Sequence, residues 1–143
     1  MKVPNERVLH HVKQWLIHGD EDLRLAEHAM TLKPEEKPPY RLIAYHAQQC
    51  AEKYLKAYLV YCVVDFPYTH NISVLLELCN EHATWAEELQ DAEQLTLYSI
   101  TTRYPGEEQE VTEAEAKQAI ELAQLVRKQV RTALEKLGVE LPE

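Results

Sequence analysis

The run Tyr45-His46-Ala47-Gln48-Gln49-Cys50-Ala51-Glu52-Lys53-Tyr54-Leu55-Lys56-Ala57-Tyr58-Leu59-Val60 constrains the fold more than any other part of the chain. At about 100° per residue, Ile43, Ala47, Cys50, Ala51, Tyr54, Ala57, Tyr58 and Tyr61 make one broad apolar helical face. His46, Gln49, Lys53 and Lys56 recur at i, i+3, i+7 and i+10 and share one edge of that face. Small residues on such a face admit a second helix at close range. The polar edge then falls at the rim of a groove, a place suited to a ligand or a partner.

The rest of the chain reads as helix too. Asn5 is placed to cap a first helix whose inward stripe is Val8, Val12, Trp15, Leu16, Leu23, Ala26 and Met30, with Gly19 on the same stripe. Glycine there costs about 1 kcal/mol against alanine, and a close helix crossing is the expected compensation. Lys33-Pro34-Glu35-Glu36-Lys37-Pro38-Pro39 is a connector that cannot stay helical. The second helix runs from Pro39 or Tyr40 to Val63. Thr69 or Asn71 caps a third, carrying Ile72, Leu75, Leu76 and Cys79.

A fourth helix is expected over Trp85–Ile100, capped by Thr84, with Leu89, Ala92 and Leu95 inward. Thr112-x-x-Glu115 is a capping-box pattern that opens the last helix, and Gly138 closes it. No strand-like alternation competes. The expectation is an all-α, up-down helical bundle of three long and two shorter helices, one domain over 1–143.

Charge and cysteine usage narrow the function classes. The net charge is −9. Residues 1–63 hold 9 Lys/Arg against 8 Asp/Glu, and residues 64–143 hold 6 against 16. Between Lys56 and Lys117 the only Lys or Arg is Arg103. Such a chain is unsuited to coating nucleic acid through phosphate contacts, although a local site for one nucleotide or RNA end is compatible with it. Cys50 and Cys62 are about 18 Å apart along one helix, too far to pair, and with Cys79 read as reduced core residues. No apolar run reaches the ~18–20 residues of a membrane span, and Met1-Lys2-Val3-Pro4 opens no signal peptide. A cytoplasmic protein follows.

Three segments together resemble the HEPN domain family (higher eukaryotes and prokaryotes nucleotide-binding). They are the Gln48-Gln49…Glu52-Lys53…Leu55-Lys56-Ala57 helix, the Thr69-His70-Asn71 helix start and Thr102-Arg103-Tyr104-Pro105 before the last helix. They occur in the family's order, and the likeness runs from about Glu6 to Leu137. It implies a HEPN-like bundle. For small stand-alone members it implies pairing with a minimal nucleotidyltransferase in a toxin–antitoxin-like system.

The candidate ligand-binding residues are Arg103, Lys53, His46, Gln49 and Tyr104. Arg103 reads either as an anion-binding arginine, its planar fork suited to phosphate, or as a structural arginine paired with a carboxylate. Lys53 and His46 either line a pocket with Arg103 or are a snorkelling lysine and a hydrogen-bonded histidine at a helix–helix rim. His70 either bonds locally or meets a neighbouring chain, or acts as an acid/base. A nucleotide is the candidate ligand, and no cofactor is expected. The seven histidines form no metal-ligand spacing, so no metal is expected either.

Nuclease members of the family resemble one another in an Arg-x(4–6)-His motif near the start of the last long helix, completed across a dimer. Arg41…His46 satisfies that spacing as text but lies at the start of the second helix, its two side chains about 140° apart. Arg103 is followed by Glu107-Glu108-Gln109-Glu110, with no histidine. The expectation is therefore a non-catalytic domain. The alternative is a metal-independent endoribonuclease built on Arg41, His46 and His70. Eight tyrosines against one phenylalanine suit half-wet interfaces, and Tyr45, Tyr54, Tyr58 and Tyr61 point to a homodimer through the first two helices.

Overall fold

The computed structural model describes residues 4–99 and 110–143. Helix α1 spans Glu6–Ala29, α2 Tyr40–Tyr61, α3 Ile72–Asn80 and α4 Glu113–Lys136. A 3₁₀ turn at Pro34–Glu36 interrupts the first connector, and a 3₁₀ segment, Trp85–Tyr98, lies between α3 and α4. No strand occurs among the described residues. The helical bundle of three long and two shorter helical elements is as expected.

Local chemistry sets the boundaries. Asn5 Oδ1 accepts from Val8 N at 2.9 Å. Asn71 Oδ1 accepts from Ser73 N at 2.9 Å and caps α3. Thr112 and Glu115 close the capping box reciprocally at 3.0 and 3.1 Å. Thr84, in contrast, makes no side-chain cap.

The Trp85–Tyr98 segment departs from the expected α-helix. Ala86, Leu89, Ala92 and Leu95 are buried and recur every three residues. That is the repeat of a 3₁₀ helix, which stacks i and i+3 on one face. The segment breaks at Leu89, whose φ/ψ of −103°/16° is not helical.

Helix α2 is the centre of the bundle. It packs against α1, α4, α3 and the 3₁₀ segment, while α1 and α4 touch one another only sparingly. Thirteen of its residues are buried, so it needs a tight neighbour. Gly19 supplies the crossing. A Cβ there would lie 2.9 Å from Tyr54 Cδ2 and 3.4 Å from the Cys50 carbonyl oxygen. The stripe glycine is thus explained by the ring of Tyr54 against α1. Val12, Leu16, Leu55, Leu59, Leu75, Leu89, Val130 and Leu134 complete a continuous core, each side chain contributing about 1.5–3 kcal/mol relative to exposure.

Candidate functional site

Three carboxylates organise the polar groups around α2. The first is Asp22 on α1. Its Oδ1 lies 2.8 Å from His46 Nδ1 and its Oδ2 2.5 Å from Lys53 Nζ. Carboxylate as acceptor puts the imidazole hydrogen on Nδ1. His46 and Lys53, seven residues apart on one edge, are brought together on this carboxylate. A carboxylate from the facing helix joins them.

The second is Glu52, whose side chain is only 4% exposed. Its Oε1 accepts from Gln48 Nε2 at 3.0 Å and lies 2.8 Å from His70 Nδ1. Its Oε2 accepts from Lys56 Nζ at 3.0 Å. Gln48 Nε2 also donates to the His70 carbonyl at 3.1 Å, and Gln49 Nε2 donates to Gln48 Oε1 at 2.8 Å. Lys56 Nζ sits 5.6 Å from the Trp15 ring centre and 5.7 Å from that of Phe66, within cation–π range. Lys56 was expected on the polar rim; instead it is buried, because Glu52 and two rings replace its water. His70 bonds to α2 rather than to its own turn.

The third is Asp20, two residues from Asp22. Tyr54 donates its hydroxyl to Asp20 Oδ1. Arg127 Nε donates to the same oxygen at 2.8 Å. Arg131 Nη1 lies 3.7 Å from Asp20 Oδ2 and donates to the Tyr54 oxygen at 3.4 Å. Burial, and then the bond to Asp20, pushes the Tyr54 phenol above its ordinary range. Arg127's own bond to Asp20 likewise holds the guanidinium proton more tightly than usual. A cleft of about 350 Å³ between α1 and α4, lined by Arg24, Glu27, Gln124 and Arg127, adjoins this cluster.

Within the single chain, the nuclease candidates sit in three different settings. Arg41 lines a separate surface depression with Tyr40, Glu110 and Thr112. His46 is tied to Asp22 and His70 to Glu52. Arg103 and Tyr104 lie outside the described residues. The tyrosine expectation needs correction at two positions. Tyr54 and Tyr58 are inside the bundle at 0% and 4% exposure, so they contribute to the core and not to an interface. Tyr58 stacks edge-on against Trp85 at 4.8 Å.

Residues 12–133 match the HEPN domain. The chain belongs to the HEPN family. No curated protein and no solved structure matches it. The HEPN assignment agrees with the all-α bundle, its central α2 helix included.

Sequence reading of this HEPN domain missed Asp20, Asp22, Gln48, Glu52, Arg127 and Arg131 as members of a network. A signal existed for two of them. Gln48, Glu52 and Lys56 stand at i, i+4 and i+8, a wholly polar row beside the apolar face of α2. Asp20 and Asp22 gave none, because their partners are 34 and 31 residues away at Tyr54 and Lys53. Among the described residues, no three His, Cys, Asp or Glu converge as a metal site, and no helix is long and apolar enough to cross a membrane.

Proposed function

We infer that this HEPN domain is a non-catalytic binding module whose ligand is a protein, a minimal nucleotidyltransferase in a toxin–antitoxin-like pair. One observation carries this. Each cation on the α2 edge already has an internal carboxylate: Lys53 has Asp22 and Lys56 has Glu52. A phosphate cradle needs cations whose donors face outward. These are spent on holding α1 and the Phe66–His70 connector against α2. Nucleotide binding through Lys53, His46 and Gln49 requires the ligand to displace Asp22. A homodimer remains compatible with this module, through surfaces other than Tyr54 and Tyr58.

A second reading has its own support. His46–Asp22 and His70–Glu52 are imidazole–carboxylate pairs, the arrangement that fixes a tautomer for acid/base work. A metal-independent endoribonuclease would use them across a dimer.

Calorimetric titration with ATP, GTP and a dinucleotide, on wild type and Lys53→Ala, separates the small-ligand and protein-ligand forms of the module. The expected result is no saturable heat with either protein. Saturable binding lost in Lys53→Ala would return the α2 edge to a nucleotide site.

A further inference from the structure

The connector between α2 and α3 presents largely exposed apolar side chains, of which Tyr68 meets the fold edge-on at the His70 ring, 5.5 Å between centroids. Val63 is 74% exposed and Tyr68 93% exposed. Leu97, 69% exposed, belongs to the same region. Ile72 N, at the start of α3, donates to Thr96 Oγ1 at 3.0 Å, and Ser73 Oγ donates to Glu93 at 3.2 Å. These two bonds bring the end of the 3₁₀ segment beside the end of the connector.

The connector is held in place. His70 is bonded to Glu52, Phe66 covers Lys56 and Asn71 caps α3. Val63 is the residue after the α2 C-cap and takes φ +56°. Its N donates to the Val60 carbonyl and Val64 N to the Leu59 carbonyl, both at 3.0 Å. This is a Schellman closure with valine where glycine fits without steric cost. A β-branched residue in the left-handed region is strained, and such strain concentrates at functional surfaces.

Charge identifies the occupant. Residues 57–99 contain seven acids, Asp65, Glu77, Glu81, Glu87, Glu88, Asp91 and Glu93, and no Lys or Arg. All seven are exposed. Among the described residues none of them is in an ion pair with a cation. A second copy docked symmetrically would set this acidic surface against itself. RNA, a polyanion, would be repelled. A basic protein surface would gain on both counts, with Tyr68 and Leu97 as apolar anchors.

We propose that the Val63–Tyr68 connector with Leu97 is a docking surface for a basic, amphipathic segment of a partner protein. The proposal rests on the binding-module reading and names the chemistry of its partner.

The test uses three labelled 14-residue peptides: a lysine–leucine amphipathic helix, the same lysines with serine for leucine, and a glutamate–leucine reversal. Anisotropy gives affinity and amide chemical shifts give location. The lysine–leucine peptide should bind at least tenfold tighter than either control, with shifts at Val63–Tyr68 and Leu97. Tyr68→Ala and Leu97→Ser should each weaken it about tenfold. Leu25→Ser, at another exposed leucine, on α1, should not. Equal binding of both lysine peptides, unchanged affinity in Tyr68→Ala, or shifts elsewhere would overturn the proposal. So would self-association in sedimentation that Tyr68→Ala abolishes, since a second copy would then be the occupant. RNA cleavage by the protein would sink the non-catalytic reading yet leave these peptide affinities to be judged on their own.

Discussion

Among the described residues, Lys53 and Asp22 form the closest contact between a predicted ligand-binding residue and its own fold, Nζ to Oδ2 at 2.5 Å. The pair joins α2 to α1, and His46 adds a second donor to the same carboxylate. Side-chain exposures of 22% and 12% make it partly buried, so water screens it less than a surface pair.

Asp22→Ala therefore leaves a lysine and an imidazole facing one another. The expected loss is about 1–3 kcal/mol, read from urea unfolding. Adding Lys53→Ala should cost less than the sum of the single changes. Additive losses would mean that the contact contributes nothing to stability.

Glu52 is more deeply placed. Glu52→Gln strands the Lys56 ammonium among Trp15 and Phe66 and should cost about 3–5 kcal/mol. Replacing both partners, Glu52→Gln with Lys56→Met, should recover much of that loss. The same unfolding measurement decides it: a double variant less stable than the single would contradict a buried ion pair.

At the helix crossing, Gly19→Ala should lower stability by about 1–3 kcal/mol despite alanine's better helix propensity. The Tyr54 ring would stand 2.9 Å from the new Cβ and is fixed by Asp20 and Arg131. A rise in melting temperature would show that α1 shifts freely on α2.

Val63 and Gly138 close two helices with the same pair of hydrogen bonds, at φ +56° and +87°. Val63→Gly should stabilise by up to about 1 kcal/mol, and Gly138→Val should destabilise by about 1–2 kcal/mol. Thermal melts of the two variants give the sign directly.

Burial pushes the Cys79 thiol up from its ordinary 9.0 to about 12. The folded state then keeps a proton that the unfolded chain releases, so its contribution is whole below pH 9 and falls as pH rises toward 12. Stability should decline above pH 9, less steeply in Cys79→Ala. A thiol reagent at pH 8 should label half-buried Cys62 first and reach Cys50 and Cys79 only on unfolding.

The helices were legible because their caps and stripes are local. Asn5, Asn71, Thr112 and Gly138 act where their neighbours in sequence predict. The 3₁₀ character of Trp85–Tyr98 was also written, in the strict three-residue step from Ala86 to Leu95, but three residues fit either helix over a short run. The site was half legible. An edge holding His46 and Lys53 could be drawn from spacing alone. That Asp22 occupies them, and that Lys56 turns inward, depends on which face of α1 meets α2. Gly19 hinted at that crossing without fixing its register.

The most direct measurement is RNA cleavage in EDTA by wild type, His46→Ala and His70→Ala. A non-catalytic HEPN module predicts no cleavage above buffer by any of the three, at protein concentrations where all are folded. Cleavage by wild type that disappears in either histidine variant would contradict it, and would assign His46–Asp22 or His70–Glu52 to an active site.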